Sequence, residues 1–143
     1  MIFSLDPRKH KPCMSLKEPK IVDLDFMQLE MYPRYVISTI NEGVTIGIPE
    51  LEKLFSIFRE QYGYTSFVSI ANRKFDYTID PTCYMKTDAN INILGIAVLA
   101  KSQQTAEIAA FERKFYNGSF KIFSEMQDCI SWAELLLAKD AKN

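Results

Sequence analysis

Residues 91–100 read INILGIAVLA, a run in which Asn92 is the only polar side chain. Residues 66–71 read SFVSIA and are nearly as apolar. Short apolar runs of this kind are typical of strands that helices cover on both faces, as in a parallel sheet. The two runs therefore predict the centre of a sheet, with Val68, Ile96 and Val98 buried.

Strand patterns extend outward from these two runs. Residues 21–31 and 34–40 alternate apolar and polar side chains on either side of Tyr32-Pro33, which predicts an antiparallel hairpin because proline lacks the donor that a central ladder needs. Residues 119–123 predict one more short strand near the carboxyl end of the chain.

Helix signals separate the strands. Ser102 is the predicted N-cap of one helix, and Ser124 with Gln127 forms a capping-box pattern at the start of the last. The first predicted helix begins near Pro49, has Glu50 and Glu52 in its first turn and ends at Gly63. The others are a short one that Asp80-Pro81 begins, 102–116, whose apolar face is Ile108, Phe111 and Phe115, and one that runs from Ser124 past Leu137. The order β-β-α-β-α-β-α-β-α predicts an α/β fold with packed helices and a mostly parallel sheet, with an antiparallel hairpin at its edge.

The composition is that of one globular domain. The chain has 143 residues, of which 48% are hydrophobic and 24% charged. Residues 1–19 are basic and proline-containing without a regular period, so we expect an irregular N-terminal tail followed by a single domain at 20–139. With a formal net charge of −1, the chain has no overall positive charge that would attract nucleic acid.

The cysteines and the lengths of the apolar stretches indicate in which cellular compartment the protein lies. The cysteines Cys13, Cys83 and Cys129 lie far apart without CxxC spacing, which favours free thiols over a disulfide framework or a zinc site. The N-terminus lacks the apolar run of a signal peptide, and no stretch approaches the ~18 apolar residues that span a bilayer. We therefore expect a cytoplasmic protein that does not span a membrane.

Motifs of the common enzyme classes do not occur in the sequence. His10 is the only histidine, so one chain cannot assemble a histidine-based triad or a two-histidine metal site. Glycine-rich nucleotide-binding loops and the GxSxG nucleophile motif do not occur either. We therefore expect no catalytic residues, no metal site and no cofactor in a protein that is not an enzyme.

The segment 72–82, NRKFDYTIDPT, is the candidate binding site. It leads from the carboxyl end of a buried strand to a helix N-terminus, where α/β sheets collect ligands and free N–H groups favour anions. Arg73 can donate two hydrogen bonds to a carboxylate or phosphate, and Asn72, Tyr77, Asp80 and Thr82 add polar groups. We expect these residues to bind a protein partner or, alternatively, a small ligand, an anion or a lipid headgroup.

A purely structural role for this segment stays open. In that interpretation Arg73 pairs with Asp76 or Asp80, and Arg73→Ala costs under about 1 kcal/mol, as for exposed ion pairs. We expect Cys83 to be a small buried residue rather than an activated thiol. The helix carboxylates Glu107, Glu112 and Asp128 are expected on solvated faces.

Several phrases of the sequence resemble a known family. They are VISTINEG (36–43), SIANR (69–73), Asp80-Pro81 with Tyr84, and LGIAVLA (94–100). Together with the predicted order of elements they resemble the SpoIIAA-like, STAS/SEC14-type domains, in particular small uncharacterised bacterial proteins of the Bacteroidetes type. The resemblance spans roughly residues 21–137.

The resemblance implies a four- or five-stranded sheet and a regulatory module without catalytic activity. Some members of the superfamily bind a kinase through a loop and helix start after a buried strand, and a serine there is phosphorylated. This chain has no Asp-Ser-Ser-Gly at that place but carries Thr78, Asp80, Pro81 and Thr82. What the resemblance implies is protein–protein interaction through 72–82, with lipid binding suggested by the SEC14-type kinship. Whether the chain forms a homodimer stays open.

Overall fold

The chain alternates strands and helices along its length. The computed structural model describes residues 18–142. Its strands are β1 (Lys20–Asp23), β2 (Met27–Met31), β3 (Tyr35–Ile40), β4 (Thr45–Ile46), β5 (Phe67–Asn72), β6 (Thr78–Ile79), β7 (Ile93–Leu99) and β8 (Ser119–Phe123). Its helices are α1 (Ile48–Tyr62), α2 (Gln103–Arg113) and α3 (Met126–Ala141), with a 3₁₀ helix at Pro81–Met85.

Six of these strands form one mixed sheet, in the order β1-β2-β3-β5-β7-β8. Strands β1, β2 and β3 pair antiparallel, whereas β3, β5, β7 and β8 pair parallel. Strands β4 and β6 form a separate parallel pair. The predicted α/β fold, with a mostly parallel sheet and antiparallel strands at one edge, is confirmed. The sheet has more strands than the family resemblance implies.

The antiparallel edge contains one strand more than predicted. The sequence predicts a single strand over 21–31, but the backbone N–H of Leu24 donates to the carbonyl of Met27 at 2.8 Å and closes a turn. Asp23 and Asp25 flank this turn, and aspartate favours turns because its side chain can bond to the nearby backbone. The segment therefore folds into two strands, β1 and β2.

Helices cover both faces of the sheet. Helix α3 packs Cys129, Ala133 and Leu137 against one face, where Val68 of β5 is fully buried. Helix α1, the 3₁₀ helix and α2 cover the opposite face. There Val98 of β7 is fully buried, as predicted.

Two predictions about the helices are wrong. Helix α3 begins after Glu125 without a side-chain cap, so the predicted capping box from Ser124 does not form. Helix α2 does begin after Ser102, whose Oγ accepts a hydrogen bond from the Thr105 N–H at 3.1 Å. However, α2 turns Ala109 and Glu112 towards the sheet rather than its predicted apolar face. Small alanine lets the helix lie close to the sheet.

The chain ends differ in what the structure describes. Residues 1–17 of the predicted tail at 1–19, including Cys13, lie outside the described residues. Helix α3 continues past residue 139, the predicted end of the domain, to Ala141. None of the helices within residues 18–142 combines the length and the apolar character needed to cross a membrane.

Candidate functional site

The five residues of the predicted site do not form one cluster. Asp80 accepts hydrogen bonds from the Thr82 N–H at 3.0 Å and the Thr82 hydroxyl at 2.8 Å, and so caps the 3₁₀ helix at the surface. Asn72, half-buried at the end of β5, lines a shallow polar depression. Arg73 and Tyr77 point elsewhere and contact each other, with the guanidinium 4.7 Å from the centre of the tyrosine ring.

Arg73 belongs to a buried polar cluster. Its side chain is 4% exposed and forms a salt bridge with Glu112, whose side chain is 6% exposed. The Tyr84 hydroxyl donates to the same Glu112 oxygen at 2.8 Å. The partner of Arg73 is therefore neither Asp76 nor Asp80, and the expectation of a solvated Glu112 is wrong. The ion pair ties the end of β5 to helix α2.

The two tyrosines of this cluster remain protonated near neutral pH. Burial raises the pKa of Tyr77 to about 12, although the guanidinium of Arg73 opposes the shift. Burial, and then the carboxylate of Glu112, raise the pKa of Tyr84 well above its ordinary value. Since a phenol with a raised pKa holds its proton, neither residue can act as a base near pH 7.

Beside this cluster lies a cavity between the sheet and helix α1. Its floor includes three small side chains on neighbouring strands: Ser38 of β3 pairs with Ala71 of β5, and Ser69 of β5 lies beside the larger Ile96 of β7. Together with the surrounding walls, these residues border a space of about 130 Å³. The prediction that Ile96 is buried is wrong: it is only half-buried and borders this space.

The walls of the cavity are mainly apolar and aromatic. Helix α1 contributes one wall, and the predicted binding segment with the 3₁₀ helix contributes the other through Tyr77 and Tyr84. The remaining lining residues are Met27, Ile40, Ile46, Leu51, Leu54, Phe55, Phe58, Ile79, Cys83, Lys86, Ile93 and Tyr116. The cavity therefore shares its wall with part of the segment 72–82.

The cavity adjoins a surface pocket of about 250 Å³. Phe55, Tyr84, Lys86, Ile93 and Tyr116 line both spaces, so the two lie side by side. Lys86 is exposed, and its Nζ lies 3.9 Å from a carboxylate oxygen of Glu52. A cationic side chain thus lines both the mainly apolar cavity and the adjoining pocket.

Cys83 is a buried lining residue. It is 6% exposed, and burial, followed by the charges of Asp80 and Glu50, raises the pKa of its thiol. A thiol with a raised pKa is a poor nucleophile near neutral pH because the reactive form is the thiolate. This arrangement agrees with the prediction of a small buried residue rather than an activated thiol.

Sequence reasoning missed Glu112 and the three small residues of the floor. Glu112 sits on a helix whose apolar side chains suggested a different buried face. Ser69 and Ala71 alternate with Val68 and Ile70 in β5, which marks small positions on one face of that strand, and Ser38 is a single small position of β3. That signal becomes visible only when the register of the two strands is known.

Among residues 18–142, no group of three or more His, Cys, Asp or Glu side chains could hold a metal ion. No family model, curated protein or solved structure matches this chain.

Proposed function

We propose that the protein is a non-catalytic, STAS-like module that binds a small molecule with a compact apolar body in the cavity beneath helix α1. The cavity of about 130 Å³, bordered by Tyr77 and Tyr84 of the predicted binding region, is the observation that supports this proposal. Sites for small molecules are typically concave and apolar with a few polar groups. This favours the small-ligand alternative over the protein-partner interpretation.

The volume limits the class of ligand. An apolar cavity of roughly 150 Å³ in another protein accommodates benzene. A single aromatic ring or a short branched chain fits a space of this size, whereas a long acyl chain does not. Lys86 in the lining adds a preference, because an ammonium group attracts an anionic substituent. A small aromatic carboxylate matches both features.

Binding of benzoate and toluene tests the proposal. Both probes are expected to shift the amide NMR signals of Ser69 and Ala71 and to raise Tm. A ligand at about 100 times its Kd adds about 2.7 kcal/mol to stability. Ser69→Leu is expected to abolish binding of both probes because the larger side chain fills the floor of the cavity. Ala71→Val provides a second, smaller filling substitution.

Matched controls separate binding from general effects. Ser56→Leu makes the same change at an exposed position of helix α1 and is expected to leave binding intact. Lys86→Gln is expected to weaken benzoate and to leave toluene unchanged. If neither probe perturbs the floor residues of the wild type, or if the filled variants bind as well as wild type, the proposal is wrong.

A second candidate function is the binding of a protein partner through 72–82 and the start of the 3₁₀ helix. Phe75 lies within 72–82 and Met85 ends the 3₁₀ helix just beyond it, and the two are 38% and 62% exposed. Exposed aromatic and methionine side chains are frequent anchors in protein interfaces. The regulatory role that the STAS-like resemblance implies would use this surface.

Affinity purification from native lysate tests the second candidate. The double substitution Phe75→Ser and Met85→Ser is expected to remove a co-purifying protein that the wild type retains, because both apolar anchors are lost. Tyr64→Ser is the control, since Tyr64 is 77% exposed in the loop after α1. An unchanged set of co-purifying proteins in the double variant contradicts this candidate.

A further inference from the structure

Two serine side chains lie on the floor of the cavity. Ser38 of β3 and Ser69 of β5 both line it, and neither lines the adjoining surface pocket. Ser69 pairs with Val36 across the two strands, and Ser38 is two residues beyond Val36. Because side chains two residues apart in a strand share a face, the serines are diagonal neighbours on the side of the sheet that α1 covers.

The two hydroxyls make little use of their hydrogen-bonding capacity within the protein. The Ser69 hydroxyl has no hydrogen-bond partner among residues 18–142. The Ser38 hydroxyl is buried and lies 3.5 Å from the carbonyl oxygen of Ile70, longer than the about 2.5–3.0 Å of an ordinary O–H···O hydrogen bond. Since each hydroxyl can donate one hydrogen bond and accept others, most of this capacity is open to a ligand.

Other polar side chains of the lining are already engaged or are shared with the pocket. The Tyr84 hydroxyl donates to Glu112, and Tyr77 packs against the guanidinium described above. Lys86 and Tyr116 line both the cavity and the pocket. The serines therefore give the floor a polar character that is separate from the part of the lining that contains the ammonium group.

A hydroxyl group on the ligand matches this floor. It is a single heavy atom, so it adds little to an aromatic ring in a space of about 130 Å³. It can both donate a hydrogen bond to a serine hydroxyl and accept one from it. A phenol is neutral near pH 7, because its ordinary pKa is about 10, so its burial does not carry the cost of burying a charge.

We infer that the ligand of this cavity is an aromatic compound that carries a hydroxyl group, and that Ser69 is the residue that selects for this hydroxyl. The inference rests on the proposed function and adds one substituent to the small aromatic carboxylate proposed above. The ligand class is then a hydroxylated aromatic acid, whose carboxylate pairs with Lys86 and whose hydroxyl bonds to the floor of the cavity.

Phenol and toluene test the inference, because phenol has a hydroxyl where toluene has a methyl group of similar size. NMR titration measures the Kd of each probe for wild type and for Ser69→Ala. The substitution is expected to raise the Kd of phenol about fivefold, the effect of one lost hydrogen bond, and to leave the Kd of toluene unchanged or lower. Comparing both probes in both proteins cancels the difference in hydration between the free probes.

Tyr116→Phe is the matched control, because it removes a hydroxyl from another lining residue, and it is expected to leave the Kd of phenol unchanged. If toluene and benzoate bind but Ser69→Ala raises the Kd of phenol no more than that of toluene, the inference is wrong and the proposed function stands. A larger loss of phenol binding in Tyr116→Phe than in Ser69→Ala also overturns the inference. If none of the three probes binds, the inference and the proposed function are both wrong.

Discussion

The substitution Arg73→Ala is expected to lower the free energy of unfolding by about 3–5 kcal/mol, because it leaves the carboxylate of Glu112 buried without its cation. Sequence alone suggests an exposed pair and a cost under about 1 kcal/mol. The structure reverses this expectation, since both side chains are almost completely removed from solvent. Urea denaturation followed by circular dichroism measures the difference.

Two further variants show whether the loss comes from the buried charge. Arg59→Ala breaks a more exposed ion pair with Asp88 and is expected to cost under about 1 kcal/mol. The double substitution Arg73→Met and Glu112→Leu removes both charges and is expected to recover much of the stability lost by Arg73→Ala. If Arg73→Ala is no more destabilising than Arg59→Ala, the buried-pair interpretation is wrong.

The substitution Gly95→Val is expected to destabilise the fold by at least about 1–3 kcal/mol, as overpacking of a close contact does. A Cβ at Gly95 would lie 2.7 Å from Leu136 Cδ1, 3.0 Å from Trp132 Cη2 and 3.2 Å from the carbonyl oxygen of Ser119. The side chains of α3 can shift, but the Ser119 oxygen is part of the β8 backbone. Thermal unfolding monitored by tryptophan fluorescence measures the loss and reports on Trp132 directly.

Gly47→Ala is the matched control for this prediction. A Cβ at Gly47 would come no closer than 3.5 Å to another heavy atom, an ordinary contact, and the backbone is extended there. Gly47→Ala is expected to lower the free energy of unfolding by about 1 kcal/mol, because alanine is a less favourable N-cap residue. If Gly95→Val has the same Tm as the wild type, α3 does not pack closely against β7 at Gly95.

Local patterns predicted most of the elements because periodicity and turn chemistry act over a few residues. The apolar runs at 66–71 and 91–100 are the two central parallel strands β5 and β7. Gly63, with φ of 55°, ends α1 where a glycine is typical of a helix end. The turn between β1 and β2 was missed because alternation continues almost unbroken through it.

The candidate site could not be predicted from local sequence patterns, because it depends on contacts between residues far apart in the chain. Arg73 and Glu112 are far apart in sequence, and their pairing requires α2 to turn a carboxylate towards the sheet. The apolar residues of α2 predicted another buried face, because periodicity shows which side chains share a face but not which face meets the core. The cavity depends on the register of β3 with β5, which places Ser38 beside Ala71.

The mixed pairing of the sheet has a consequence for how fast the chain folds. Strands β1, β2 and β3 follow one another through short turns, so their pairing closes small loops at low entropic cost. Each parallel pair from β3 to β8 instead joins strands separated by a helix, and such non-local contacts slow folding. Because hairpins form within microseconds, we expect the parallel half of the sheet to set the folding rate.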